Sequence, residues 1–391
     1  MVKVLHTSDW HLGRLLDGEE RGEEFYSFFS FMLSEIERRG IDVLLVSGDV
    51  FDSSVPRNSA VQAFADLLTR LRSSSLSHAV FIAGNHDSAS FLRILKTLGE
   101  NDKIHIFPNA PSDGEGLVLD NRLYIMPIAF LRDGDLGLGY GEDYETRQLE
   151  AYARYFNLCD EKYSVNGMKI PCICMAHLFL TGSSIAPGDG VRANVGTLGQ
   201  VSASLLPKTP CYYALGHIHK PQRIGKRADM RYCGTPLAMS FDEAADQKTM
   251  IEVCIKDDGQ ISIEEVPIPR FRNLQLIKGD LEKIRASLEA LGHDGSQAYC
   301  EIVYEGPAME TELYEKVRLL CPPNVHLVAV KASIKASEAG LESIQDLGML
   351  SPATVFQRKL DDLGLEEEQR RSLTEAFSQA LKALEDEDEN T

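Results

Sequence analysis

The sequence predicts an α/β fold with central sheets flanked by helices. Two observations predict it. Short apolar runs of strand length alternate with segments of helical periodicity over the first 268 residues. Short polar motifs rich in His, Asp and Gly fall mostly where a predicted strand ends, and those ends are where open α/β sheets carry their sites.

The elements follow in order. Val2–His6 is an apolar strand, and Glu24–Arg39 places apolar residues at 25, 28, 29, 32, 33 and 36, one face of a helix. Ile41–Ser47 is a second buried strand. Asn58–Arg72 sets Val61, Phe64, Leu68 and Leu71 on one helical face, Ala79–Ala83 is a third strand, and Ser88–Leu98 turns Phe91, Leu92, Leu95 and Leu98 inward. Later strands are expected at Arg122–Met126, Ile170–Ala176, Cys211–Leu215, Met230–Cys233 and Met250–Ile255. Val266-Pro267-Ile268-Pro269 reads as a linker. A compact strand–helix–strand–helix–strand unit follows at Leu274–Ile277, Leu281–Leu291, Ala298–Tyr304, Glu310–Cys321 and Val325–Val330. Beyond Lys335 the chain is helical and charged. Leu373, Phe377, Leu381 and Leu384 give the last helix one apolar face, which suits a partner helix or its own domain equally.

Composition bounds the class. The chain has 391 residues, 43% hydrophobic and 25% charged, which excludes collagen-like, disordered and disulfide-scaffold proteins. Eight cysteines include no C-x-x-C pair, so structural zinc is not expected and the thiols read as buried. No apolar run approaches the ~20 residues that span a bilayer. Met1–His6 runs straight into Thr7-Ser8-Asp9 without a signal-peptide pattern, which gives the expectation of a cytoplasmic protein without membrane contact. The net charge of −19 argues against a simple nucleic-acid binder, but residues 361–391 alone hold eleven acidic and three basic side chains. Acids that bind divalent cations invert the local field, so net charge does not decide on a DNA substrate.

Five motifs carry chemistry: Asp9-Trp10-His11; Gly48-Asp49-Val50-Phe51-Asp52; Gly84-Asn85-His86-Asp87; His177; and Gly216-His217-Ile218-His219. Asp9, His11, Asp49, Asn85, His177, His217 and His219 supply carboxylate, imidazole and amide donors without a thiolate, a set suited to Mn²⁺, Fe²⁺ or Zn²⁺. Seven donors exceed the need of one ion and fit two ions ~3.5–4 Å apart sharing a carboxylate. D-x-H and H-x-H spacings put alternate side chains on one side. Glycine before Asp49, Asn85 and His217 lets the backbone turn tightly beneath them. One D-x-H occurs by chance in many proteins; the five motifs in this order do not read as structural coincidence. His78, His105, His293 and His326 lie outside any such motif, and His6 reads as a buried, hydrogen-bonded strand residue.

In this order the motifs resemble the calcineurin-like metallophosphoesterase superfamily. His6–Gly13, Gly48–Asp52, Gly84–Asp87, Gly216–Gln222 and Gly234-Thr235-Pro236 with Ser240-Phe241 are similar, within it, to the bacterial DNA nuclease subunits that work with an SbcC-type ATPase. The resemblance is specific over residues 1–245 and looser beyond. It implies a four-layer sandwich, two central β-sheets flanked by helices, with a small α/β capping domain and C-terminal helices. The domains would be 1–268 for the nuclease, 270–335 for the cap and 340–391 for a helical partner-binding segment with an acidic tail. One metal would be held by Asp9, His11, Asp49 and His219, the other by Asp49, Asn85, His177 and His217, with Asp49 bridging. The resemblance makes Mn²⁺ the expected ion. It gives His86 the task of assisting the leaving oxygen beside the scissile phosphate, and Asp52 the task of steadying His86.

The implied activities are 3′→5′ exonuclease on duplex ends and endonuclease on single strands and hairpins, in recombination and repair of replication-associated DNA. The implied assembly is a heterotetramer of two nuclease and two ATPase chains, with a nuclease homodimer formed through helices; the faces of Asn58–Arg72 and Ser88–Leu98 are the candidates. Arg14, Arg57, Arg93, Lys220 and Arg223 stand near the motifs and are candidate phosphate contacts, although each also reads as a solvated surface charge. A phosphatase or phosphodiesterase acting on a phosphoprotein or small molecule is the alternative. Ser53 after Asp52 departs from the protein-phosphatase pattern, which has Arg there, and the extra C-terminal residues suit a macromolecular substrate. A non-catalytic scaffold is the third reading, and the intact donor set opposes it. No G-x-x-x-x-G-K-[ST] is present, so ATP hydrolysis would belong to the partner.

Overall fold

The computed structural model describes residues 1–99, 101–132, 144–165, 167, 169–184, 200–293, 295, 297–306 and 310–333. The expected partner-binding segment at 340–391, with its apolar helix and acidic tail, lies outside the described residues. The chain divides into two units, Met1–Tyr304 with Thr311–Lys331, and Glu305–Glu310 with Ala332–Thr391. The architecture below is that of the first.

The first sheet has a parallel centre of β1 (Val2–Thr7), β2 (Val43–Ser47), β3 (His78–Ile82) and β4 (Ile104–Phe107). At one edge β11 (Thr249–Ile255) runs antiparallel to β1, and β12 (Ile261–Pro267) antiparallel to β11. The order across this sheet is β12-β11-β1-β2-β3-β4. In the second sheet β6 (Leu123–Ile128), β7 (Cys172–His177), β8 (Tyr212–Gly216) and β10 (Met230–Tyr232) are parallel. β5 (Leu117–Leu119) and β9 (Gln222–Arg223) pair antiparallel at its edges, giving the order β5-β6-β7-β8-β10-β9. Every residue of β2, β7 and β8 is buried, as continuous apolar parallel strands require.

One core joins the sheets: Leu45, Phe81, Ile125, Ile173, Met175 and Ala214 belong to the same cluster. The outer face of the first sheet is covered by α1 (Gly22–Arg39), α2 (Asn58–Ser73) and α3 (Ala89–Gly99). α1 buries Phe25, Phe28, Phe29, Met32, Leu33 and Ile36, the stripe its periodicity predicts, each contributing about 1.5–3 kcal/mol of burial. It ends on Gly40 at φ 63°, whose N–H returns to Ile36 and Glu37 carbonyls. The second sheet packs α4 (Tyr144–Val165) through Tyr152, Phe156 and Cys159.

The last described part of this unit is a three-stranded sheet of β13 (Leu274–Gly279), β14 (Tyr299–Tyr304) and β15 (His326–Ala332) with α5 (Leu281–His293) and α6 (Leu313–Leu320). It has its own core of Ile277, Ile284, Leu288, Ile302 and Val317. Leu274 and Tyr299 also pack on Leu16 and Phe241, and His326 and Lys331 pair with Glu19 and Asp17.

Three sequence expectations change. Val266-Pro267 is not linker but the end of β12, pairing with Met250 and Thr249; an edge strand tolerates proline there. Leu98 is 76% exposed, while Leu92 is buried and Phe91 and Leu95 pack partly buried against the core; Gly99 takes the last inward place, where a Cβ would sit 3.3 Å from Leu68. α3 is apolar on several sides, so periodicity alone does not orient it. Val61 is half-buried, while Ala60, Ala63 and Leu67 join the inner face of α2. All eight cysteines are free, five of them buried. Among the described residues no helix is long and apolar enough to cross a membrane.

Candidate metal centre

The motif loops leave the carboxyl ends of β1, β2, β3 and β8, and His177 is the last residue of β7. After β1, Trp10 is fully buried, donating from Nε1 to Thr7 Oγ1 at 3.0 Å and packing on Phe28, Phe29 and Phe81. That anchor turns the flanking Asp9 and His11 together toward the site. Ile218, also fully buried, does the same between His217 and His219. Asp9, His11, Asp49 and His217 all have positive φ (52°, 48°, 48° and 105°), a cost of order 1–3 kcal/mol each that surrounding structure must hold in place. The loops brace one another: Asp9 N–H donates to Gly48 O and His11 N–H to Asp49 O, both at 3.0 Å.

The three glycines before Asp49, Asn85 and His217 are required, for unequal reasons. Gly48 has φ 88°, and a Cβ there would lie 2.3 Å from His177 Nδ1. Gly84 and Gly216 need space rather than a left-handed backbone. A Cβ at Gly84 would fall 2.1 Å from Asp49 Oδ1, and one at Gly216 1.8 Å from the Ser47 carbonyl.

Two groups of donor atoms converge: Asp9, His11 and His219, and Asp49, His177 and His217. His11 Nε2 and His219 Nε2 face each other at 3.1 Å, with Asp49 Oδ2 3.7 Å from the former. His177 Nε2 lies 3.0 Å from Asn85 Oδ1 and 3.4 Å from Asp49 Oδ2, and His217 Nδ1 lies 3.0 Å from the same Asn85 oxygen. His177 Nδ1 stands 2.9 Å from the Ser47 carbonyl, so it carries a proton. In the neutral ring Nε2 is then a lone pair aimed at two further acceptors, an arrangement that needs a proton or a cation between them. Asp49 is within reach of both groups.

The electrostatics agree. Burial pushes the Asp9 carboxyl up to about 6, against the pull of His177. Burial also opposes ionisation of Asp49, but His177, His11 and His86 outweigh it and hold its carboxyl well below the usual range. Burial disfavours His177 as a cation; Asp49 and Asp9 reverse this and raise it to about 9. Burial and then neighbouring His177 lower His217 to about 3, and burial and then His11 hold His219 well below the ordinary value. Burial thus holds His217 and His219 neutral, as ligation requires, while the carboxylates favour positive charge at His11 and His177, charge that a divalent cation would supply in place of a proton.

His86 belongs to a third convergence, with His11 and Asp52. Its N–H donates to Asp49 Oδ1 at 2.8 Å, and its ring Nδ1 lies 2.8 Å from the main-chain carbonyl of Asp52. Asp52, expected to steady His86, meets it through its main-chain carbonyl. The Asp52 carboxylate stands 3.5 Å from His11 Nδ1 and 3.3 Å from Arg14 Nη1. Burial would raise it, but His11 and Arg14 lower it below the ordinary Asp value.

Of the basic candidates, Arg14 reaches the site through Asp52. Arg57 is exposed and 4.0 Å from Glu20, Arg93 donates to Asn109, and Lys220 and Arg223 are exposed. Sequence reasoning missed Asp87. This buried carboxylate accepts N–H bonds from Val50, Phe51 and Gly84 at 2.9–3.1 Å and locks the second and third motif loops together. Its signal was its place as the fourth residue of Gly84-Asn85-His86-Asp87. Phe130 and Phe179, which pack on His177 and His217, and Arg132, which donates to Gly84 O at 3.0 Å, carried no motif.

Residues 2–221 match the family model of the calcineurin-like phosphoesterases, and residues 270–362 match that of the type 5 capsule protein repressor C-terminal domain. A protein of Escherichia coli (strain K12), named as the SbcD component of the nuclease SbcCD, is 31% identical over 98% of either chain. The protein of the same name in Bacillus subtilis (strain 168) is 29% identical over 68% of this chain and 69% of its own.

Proposed function

The chain belongs to the calcineurin-like phosphoesterase family, and on that premise we propose that it is a DNA nuclease of the SbcD type. It is a metal-dependent phosphodiesterase. We assign one ion to Asp9, His11, Asp49 and His219 and the other to Asp49, Asn85, His177 and His217, with Mn²⁺ as the working ion. The observation that carries this is the convergence of the His11 and His219 ring nitrogens, 3.1 Å apart, and of the His177 ring nitrogen and Asn85 oxygen, 3.0 Å apart, on either side of Asp49.

Divalent ions bound there supply an activated water and offset the charge of the phosphate oxygens. The protein's own groups do the rest. Ser47 fixes the His177 tautomer, and Asp87 fixes the two loops that present Asp49, Asn85 and His86. His86 donates from Nδ1 to the Asp52 carbonyl and stands beside the donor cluster; as an imidazolium it would give its Nε2 proton to the departing sugar oxygen. No residue of the chain is required as a covalent nucleophile.

The substrates in this reading are duplex ends, degraded 3′→5′, and single strands and hairpins, cut internally. Arg14, Arg57, Arg93 and Lys220 are the proposed phosphate contacts. Residues 1–268 form the nuclease domain, 270–335 the cap and 340–391 the segment that binds an SbcC-type ATPase, in a complex with two copies of each chain. The exposed Ile94 and Leu98 on α3 support a nuclease homodimer. Purified chain given a labelled DNA hairpin and a chromogenic phosphomonoester, each with Mn²⁺ and with chelator, tests the reading. Hairpin cleavage that needs Mn²⁺ and disappears in His86→Ala is expected. Monoester turnover with intact DNA would overturn it in favour of a phosphatase.

A further inference from the structure

Beside the metal centre lies a recess of about 210 Å³ between the Leu12–Arg21 loop, α1 and α2. Leu12, Leu15, Phe25, Ala60 and Ala63 make its apolar walls, and Tyr26 stands at its rim, 39% exposed. A second hollow continues it toward Asp52; the two share Leu12, Gly13, Arg14, Leu15 and Arg57. The trench therefore begins next to the residue whose carbonyl steers His86, passes two guanidinium groups, and ends in an apolar slot. Arg57 holds Glu20 only at 4.0 Å, with both side chains mostly exposed, and Arg14 holds Asp52 at 3.3 Å. Both can turn to an anion.

We propose that this trench is a nucleotide subsite: the slot takes one unstacked nucleobase of the substrate strand, and Arg14 and Arg57 take the phosphate that follows it. An apolar slot whose mouth carries Arg14 and Arg57, each beside a carboxylate (Asp52 and Glu20) that a phosphate would displace, matches the two ends of a nucleotide, flat and apolar at the base and anionic at the phosphate. A peptide would not need two arginines at the entrance. The trench reaches Asp52, whose carbonyl holds His86, and in this proposal the base it takes belongs to the leaving-group side of the cut bond. The inference rests on the nuclease reading above and gives that site a way to hold a strand splayed from its partner.

The test is an abasic scan. An oligonucleotide cleaved at one mapped bond is prepared with a single abasic residue at each position in turn, and kcat/KM is measured with Mn²⁺. A loss on the order of tenfold is expected at one position on the leaving-group side, within two nucleotides of the cut. Ala63→Leu, which fills the slot, and Gln62→Trp, which blocks its mouth from an exposed helix position, are expected to abolish that loss, each variant being compared with itself on intact and abasic strands. Arg57→Gln is expected to reduce the salt dependence of KM by about one released counterion. A flat scan, or a peak that survives in both filled variants, overturns the subsite while leaving the nuclease reading intact. An unchanged salt slope overturns the phosphate contact. ATPase-stimulated cleavage lost in the filled variants with the abasic peak retained would assign the slot to a protein partner and overturn the proposal. Absence of any DNA cleavage by the unaltered chain would instead remove the reading on which it rests.

Discussion

The imidazole Nδ1 of His177 donates to the main-chain carbonyl of Ser47 at 2.9 Å, from the end of one sheet to the end of the other. The bond commits Nε2 to the Asp49 and Asn85 oxygens and ties the candidate metal centre to the packing of the two sheets. Metal removal should therefore register as lost stability. At a concentration about a hundred times Kd, bound Mn²⁺ stabilises by about 2.7 kcal/mol per site, so the melting temperature should rise by several degrees over the chelated chain. His177→Asn should abolish most of that rise. A melting temperature indifferent to Mn²⁺ in the unaltered chain would count against the donor set as a metal site.

Gly216→Ala should be more damaging than its size suggests. The added Cβ would fall 1.8 Å from the Ser47 carbonyl and 2.9 Å from His177 Nδ1, and the first of these atoms is backbone and has no room to yield. β8 must shift, and with it His217 and His219. Loss of the Mn²⁺-dependent rise in melting temperature, with or without a folded apo chain, is the expected result. A variant melting and binding Mn²⁺ like the unaltered chain would show that the sheets separate more easily than this packing implies.

His86 and Asp52 should fail in different ways. His86→Ala removes a ring that ligates nothing in our assignment, so metal occupancy should persist while kcat falls roughly 10²–10⁴-fold. Asp52→Asn leaves the main-chain carbonyl that holds His86, but weakens the carboxylate partner of His11 Nδ1. It should lower Mn²⁺ affinity by about 10–100-fold. Isothermal titration of both variants separates the two; metal loss in His86→Ala, or full affinity in Asp52→Asn, would reverse the roles.

Asp87→Asn should destabilise the apo chain. Its two oxygens accept from three buried N–H groups, and an amide turns one acceptor into a donor facing Val50, Phe51 or Gly84. A cost of about 1–3 kcal/mol is expected from the lost acceptor, read as a shifted urea midpoint in the presence of chelator. An unchanged midpoint would mean the loops at 48–52 and 84–87 are held by other contacts.

The strands that end in motifs were legible because burial on both faces makes them continuous apolar runs, and their loops repeat Gly, Asp and His at fixed offsets. β4, β5 and β9 were not, being two to four residues long and at or near sheet edges, where composition is weak. α4 was missed because it is mostly polar: among its described side chains Tyr152, Phe156 and Cys159 are buried, with Leu149, Tyr155 and Tyr163 partly so. In the site, side chains on motif loops were legible as donors. What steadies them was less so: the Ser47 and Asp52 partners are backbone carbonyls, and carbonyls have no sequence signature.

His6 gives a pH dependence separable from the metal ligands. It is fully buried, 3.0 Å from the Tyr212 hydroxyl and 3.6 Å from Cys233 Sγ. Burial lowers it to about 3 from an ordinary 6.5, against a smaller opposing bond to the Leu215 carbonyl. Between these values the unfolded chain binds the proton and the folded chain does not. Stability from this group is therefore complete above about 6.5 and is lost as pH falls toward 3, with a slope of at most about 1.4 kcal/mol per pH unit. Asp9 and other buried acids titrate in the same range, so the informative quantity is a difference. With chelator present, the unaltered chain should lose stability on acidification from pH 7 to 5 faster than His6→Asn does, whatever the variant's absolute stability. Parallel pH profiles would mean that His6 is protonated in the fold, with Tyr212 or Leu215 oxygen as its acceptor.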